Sequence, residues 1–174
     1  CSSRSTHIGA GPIAHTFFHR PTWTWQYVVA DPKTSRAVLI DPVLDFDPVT
    51  NTISTTTADS LLSFIASKKY KIERTLETHA HADHLTAARY VKRQLGGVPL
   101  IGIGAGIKKV QAHFGMVYGV KESEMEGAFD ELFVDGDRFE SGELGWEVMH
   151  LPGHTPDHIG LRCGDFVFVG DSLF

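Results

Sequence analysis

The stretch Thr78–Thr86, THAHADHLT, constrains this chain more than any other. Within six residues it sets three histidines and an aspartate in the pattern His79-x-His81-x-Asp83-His84. Imidazole nitrogens and carboxylate oxygens are good ligands for zinc and iron ions. Crowding them into one polar loop is useful only if a rigid support lets them converge. The preceding run, KIERTLET, reads as a strand ending at Thr78, which fixes the backbone where the side chains diverge. The spacing differs from the i,i+4 histidine pair that zinc proteases carry on a helix. The expectation is a fold that builds a metal centre at a strand end.

Two later segments repeat the pattern of a strand followed by a ligand type. His154 lies in LPGHT after WEVMH, and Asp171 lies in FVFVGDS. A lone His or Asp at a strand end is ordinarily a cap or turn residue. Beside the first cluster, both are read as metal ligands.

The rest of the chain supplies a mixed scaffold. WQYVVAD and RAVLIDP are β-rich runs joined by the turn-forming PKTS, a hairpin. IDPVLDFDP should break the strand with its two Asp-Pro pairs, and Asp41 should fix the turn there. Asp59 is placed as the cap of a helix through Leu61, Leu62, Phe64 and Ile65, with Lys68 and Lys69 in its last turn. Leu85, Ala88, Val91 and Leu95 have helical spacing, ended by Gly96-Gly97. VPLIGIG reads as a buried strand, and GIKKVQAHF as a helix with Ile107, Val110 and Phe114 on one face. ELFVDGDRF reads as two strands about Asp135-Gly136. GWEVMHLPGHTPDH opens from a strand into a loop, and DFVFVGD is a last strand ending at Asp171. Strands outnumber helices, and hairpins mix with αβ alternation. This indicates an α/β (α+β) sheet domain spanning residues 1–174, with no internal repeat.

Bulk properties narrow the partners. A chain of 174 residues can bury a real core. Its net charge is -5 with no Lys/Arg block, so neither nucleic acid nor anionic membrane is expected to bind. No apolar run approaches the roughly 20 residues that span a bilayer. The two cysteines, Cys1 and Cys163, make no disulfide framework and suit a reducing, intracellular compartment. The first 30 residues contain no Asp or Glu, and CSSRS is Ser-rich. Residues 1–20 are therefore expected to be a flexible segment or the remnant of a transit peptide, with a mitochondrial or cytoplasmic location.

Several features are set aside. Gly102, Gly104 and Gly106 suggest a dinucleotide loop, but Ile107 stands where the third glycine belongs; a tight strand-to-helix turn suffices. His7, His15 and His19 precede the first expected strand without a partner cluster. His113 is read as a surface or packing residue. His150 and His158 flank LPGHTP as structural residues, His158 being the better candidate to brace a ligand. Cys163, placed in the turn LRCGDF with no base nearby, is not read as a nucleophile.

His79-x-His81-x-Asp83-His84, with Gly153-His154 and Gly170-Asp171, resembles the signature of the metallo-β-lactamase superfamily. The resemblance runs from VVADPKTSRAVLIDPV to GDSLF. It implies an αββα sandwich with the metal site at the edge between two sheets. ETHAHADHLTAARYVKRQLGG, IGIGAGIKKVQ, LFVDGDRF and LPGHTPDH are similar to its persulfide dioxygenase (ETHE1-like sulfur dioxygenase) branch. That resemblance implies one Fe(II) per chain on His79, His154 and Asp171, and oxidation of glutathione persulfide with O₂ to sulfite and glutathione. His81, Asp83 and His84 would line the site, with Asp83 and His84 as catalytic candidates.

The same residues also match a zinc-dependent hydrolase of the superfamily, a glyoxalase II-type thioesterase or a lactonase. There His79, His81 and His154 would hold one Zn(II), Asp83 and His84 would help hold a second, and Asp171 would bridge. A non-catalytic metal-binding fragment is the third reading. The family continues past GDSLF with a further half-sandwich, so the chain is expected to be truncated at its C-terminus. An unclosed sheet edge would then favour a homo-oligomer.

Overall fold

A computed structural model describes residues 11–173. The elements in chain order are β1 (Ile13–His19), β2 (Thr24–Ala30), β3 (Arg36–Ile40), β4 (Val43–Asp47), β5 (Thr52–Ser54), α1 (Thr56–Ser67), β6 (Lys71–Leu76), β7 (Leu85–Thr86), α2 (Ala88–Gln94), β8 (Leu100–Gly104), α3 (Ile107–Tyr118), α4 (Glu122–Met125), β9 (Glu131–Phe133), β10 (Arg138–Ser141), β11 (Leu144–His150), β12 (Ile159–Cys163) and β13 (Phe166–Phe168). A 3₁₀ turn, Gly170–Ser172, follows. The first sheet has the order β1-β2-β3-β6-β8-β9, and the second the order β10-β11-β12-β13. β4 joins β5 and β7 in a small third sheet.

The period-two alternation of the strands builds the layers. Val28, Ala30, Ala37 and Leu39 point one way, onto Ala58, Leu61 and Ile65 of α1 and Val91 of α2. Val29, Val38, Ile40 and Leu76 point the other way, onto Trp146, Val148, Ile159, Leu161 and Phe168 of the second sheet. Both faces of β2 and β3 are thus buried, which explains why their sequences are continuous apolar runs. Trp146 anchors the seam between the sheets, stacked on Phe139 with centroids 5.6 Å apart. The mixed α/β fold expected from the sequence is present, as helix on sheet on sheet. Among the described residues, no helix is long and apolar enough to cross a membrane.

Several local expectations change. IDPVLDFDP does break the strand, since β3 ends at Ile40, but strand structure resumes at once as β4, which Pro42 and Pro48 flank without removing a ladder donor within it. Asp59 does not cap α1, which already begins at Thr56; it sits in the first turn and accepts the Thr55 and Tyr90 hydroxyls. Lys68 and Lys69 lie beyond the last turn, Lys69 with φ of 58°. Leu85 is in β7, paired with Leu44, and α2 starts only at Ala88. The Asp135-Gly136 turn joins strands of different sheets, β9 and β10.

The N-terminal segment is not flexible through residue 20, because residues 13–19 form β1 against β2. His15 therefore lies in a strand and bonds the Tyr70 hydroxyl. His19 is buried against Thr22 and Asp45. His7 lies outside the described residues. Cys163 is not in a turn; it ends β12 inside the core, where burial pushes its thiol up to about 11 and disfavours the thiolate.

Asp31 pins the β2–β3 turn. Its buried carboxylate accepts the Lys33 N–H, the Thr34 hydroxyl and, from the second sheet, the Glu143 N–H. Burial pushes its pKa up, but these donors outweigh it and hold the group below its ordinary value. The stability it confers is thus complete above the unfolded carboxylate range and is lost as pH falls through the depressed folded value. Asp31→Asn is expected to cost about 1–2 kcal/mol at pH 7. Denaturant titrations should show this gap to the wild type closing below roughly pH 4.

Candidate metal centre

β6 delivers the first ligand-rich loop at its C-terminal end, where Glu77, Thr78 and His79 are all buried. The peptide stays tied to the sheets on both sides: the Glu77 N–H bonds the Gly102 carbonyl, and the Thr78 carbonyl accepts the Ile159 N–H. β11 delivers His154 through the loop that follows it, and β13 delivers Asp171 through the 3₁₀ turn. Asp171 is therefore one turn beyond the strand, not its last residue.

His79, His154 and Asp171 converge, offering ligand atoms within 4.8 Å of one another. Asp171 Oδ2 lies 3.7 Å from His79 Nε2 and 3.6 Å from His154 Nε2. These separations exceed hydrogen-bonding distance. They suit donors that each approach a shared ion to about 2.1 Å.

His79 is prepared for this role by its neighbours. The Thr78 hydroxyl donates to Asp41 Oδ2 at 2.9 Å. Having spent its only proton, that oxygen can face His79 Nδ1, 2.9 Å away, only as an acceptor. Nδ1 then carries the ring proton, and Nε2 keeps a free lone pair. Nε2 is enclosed and makes no hydrogen bond to protein. Burial, and then the charge of His81, push the His79 imidazole down to about 3, so it is neutral at physiological pH. A buried, neutral, orphaned nitrogen facing a carboxylate fits a metal ligand.

His158, expected to be mainly structural, braces this ring. It is fully buried and stacks on His79 with centroids 4.6 Å apart and planes 8° from parallel. Its Nε2–H donates to the Val169 carbonyl at 2.8 Å, just before the Asp171 turn. Gly170, at φ of 49°, allows the approach, since a Cβ there would lie 2.4 Å from the Thr78 hydroxyl oxygen. Gly104 and Gly106 do more than make a tight turn. A Cβ on either would strike Asp157, at 2.3 and 2.7 Å from its backbone. Asp157 in turn accepts the Ala80 N–H at 2.7 Å and holds the histidine loop.

The other residues of the first motif separate from this set. His81 Nε2 lies 3.2 Å from Asp41 Oδ1 and 3.3 Å from Glu77 Oε2. Burial opposes its charge, but the two carboxylates outweigh that and push its pKa up to about 11. Asp41 is itself held below its ordinary value: burial pushes it up, while His81 and the donors of Thr78 prevail. Burial pushes Glu77 upward against the same imidazole. Asp41 does occupy a turn, at φ of 49°, but its carboxylate reaches across to Thr78 and His81. His81 also groups with Asp83 and His84, whose ligand atoms lie within 4.8 Å of one another; Asp83 is exposed and His84 half-buried. These three line a cavity of about 790 Å³ with His19, Asp45 and Phe46. His113 and His150 are exposed; His150 bonds the Pro156 carbonyl.

Reasoning from sequence passed over Glu77, Thr78 and Asp157. The one signal for Glu77 was a charged residue at the end of a buried strand. Nothing local marked Asp157.

The model described as Metallo-beta-lactamase superfamily matches residues 21–174. A Beta-lactamase hydrolase-like protein of Xylella fastidiosa is 39% identical over 94% of this chain and 38% of its own. The mitochondrial Persulfide dioxygenase ETHE1 of Bos taurus is 26% identical over 98% of this chain and 56% of its own. The crystal structure of ETHE1 from Myxococcus xanthus superposes with a TM-score of 0.70 and 27% identity, over 93% of this chain and 58% of that one. The chain thus spans between 38% and 58% of the length of these proteins. With the family match running over most of its length, the chain belongs to the metallo-β-lactamase superfamily.

Proposed function

We propose that the chain carries the centre of an Fe(II)-dependent persulfide dioxygenase, with His79, His154 and Asp171 holding one iron. Glutathione persulfide, O₂ and water would give glutathione and sulfite. The observation that carries this reading is the division among the histidines. Two imidazoles and one carboxylate face a common point, while His81 Nε2 faces Asp41 and Glu77. Two histidines and a carboxylate on one face of an octahedral ion leave three positions open, as in non-heme Fe(II) oxygenases. When bound, Fe(II) would supply a site where persulfide sulfur and O₂ meet and exchange electrons. Neutral imidazoles and one carboxylate leave that site with a net charge of about +1, which favours an anionic persulfide.

The chain's own residues position and tune. Thr78 sets the tautomer of His79, His158 holds its ring, and Gly170 lets Asp171 approach. The cavity beside His81, Asp83 and His84 would receive the substrate, with Asp83 and His84 placed to orient it or bound water. The similarity to proteins named as persulfide dioxygenases supports this reading.

A zinc-dependent hydrolase, a thioesterase or lactonase, is the second reading. It is favoured by the convergence of His81, Asp83 and His84 as a second ligand group, and by the higher identity to a relative named hydrolase-like. Purification without oxygen, metal analysis, and O₂ uptake with glutathione persulfide separate the two. About one iron per chain with O₂ consumption is expected. Stoichiometric zinc with thioester or lactone cleavage and no O₂ uptake would overturn the dioxygenase.

A further inference from the structure

Asp41 and Glu77 do more than satisfy a buried imidazole. We infer that this carboxylate pair sets the metal preference of the neighbouring centre by withholding His81 from the ligand set. The inference rests on reading His79, His154 and Asp171 as the ligands, and it names the residues that keep the set at two imidazoles and one carboxylate.

Three observations carry it. First, His81 is close enough to compete: its ring centroid lies 4.0 Å from that of His79. Backbone distance is therefore not what separates it from the centre. Second, its Nε2 hydrogen-bonds Asp41 Oδ1 at 3.2 Å and lies 3.3 Å from Glu77 Oε2 as an ion pair, and all three side chains are at most 5% exposed. If the ring turned away, Asp41 would lose its donor and both buried carboxylates would lose their ion-pair partner, an arrangement that proteins strongly avoid. Third, the carboxylates cannot follow the ring. Asp41 is fixed by the N–H and hydroxyl of Thr78. Glu77 accepts the Thr86 hydroxyl on its other oxygen. A third imidazole would move the ligand set toward the three-histidine sites that hold zinc, whereas two with a carboxylate suit Fe(II). Glu77 and Asp41 thus act as positioning residues, and Glu77 is the better probe because it makes no bond to Thr78 among those described.

The test is a binding measurement on the protein. Zn(II) affinity is read by competition with a chromophoric chelator, and ligand number by the visible absorption of Co(II)-loaded protein. His81→Ala alone should leave zinc affinity unchanged. Glu77→Gln should raise it roughly tenfold and intensify the Co(II) bands toward a four-coordinate spectrum. The double variant Glu77→Gln/His81→Ala should lose that gain. Thr86→Val, which loosens Glu77 without touching His81, should shift affinity in the same direction and serves if Glu77→Gln does not fold. His81→Ala weakening zinc as far as His79→Ala would overturn the inference, as would unchanged affinity in a folded Glu77→Gln or Thr86→Val protein. Because no turnover is read, a protein that binds as expected but consumes no O₂ would sink the dioxygenase reading and leave this one standing.

Discussion

His79→Ala is expected to abolish metal binding, while His113→Ala leaves it intact. The contrast follows from position. His79 is buried, neutral and fixed by Thr78 and His158, and its Nε2 faces Asp171. His113 is exposed on α3, packed edge-on against Phe114. Loss of a supporting residue lowers metal affinity by about 10–100-fold; loss of a ligand with this much preparation should exceed that. Equilibrium dialysis with Fe(II) under anaerobic conditions, and with Zn(II), reads the difference. Equal effects of the two substitutions would place the centre elsewhere.

Asp41→Ala is the second large effect, and it should register in stability before activity. The carboxylate is 1% exposed, accepts two donors from Thr78 and faces His81. Its removal leaves a buried imidazole with Glu77 alone and frees the Thr78 hydroxyl. Removing one partner of a buried charged pair costs about 3–5 kcal/mol. Urea unfolding should show that loss, and Asp41→Asn, which keeps the shape and an acceptor, should show a smaller one. A loss under about 1 kcal/mol in Asp41→Ala would mean that the network contributes little.

How much of this was legible in the sequence depends on whether a signal is local. The layers were readable because β2 and β3 bury both faces and so appear as apolar runs. The ligand types of the first motif were readable because they crowd into six residues. The hidden parts act across the chain. β1 lacks an apolar run, since its outward residues are polar or half-exposed, and it forms only because β2 offers it an edge. β4 was masked by two prolines that lie just outside it. Asp41 looked like a turn residue because its partners are Thr78 and His81, 37 and 40 residues on. Gly104 and Gly106 read only as a tight strand-to-helix turn because the segment they admit, at Asp157, is remote. Proximity in space without proximity in sequence leaves no pattern to read.

The distribution of the three candidate donors has a mechanical consequence. His79 leaves the first sheet, whereas His154 and Asp171 leave the second. An ion shared by all three is a rivet through the seam that Trp146 and its neighbours close by apolar contact and that the Glu143–Asp31 and Ile159–Thr78 hydrogen bonds cross. Docking of the sheets and capture of the ion then become one equilibrium, and each strengthens the other by the same free energy. A chain built this way need not form a complete binding site before it folds, because closing the sandwich is what assembles the site.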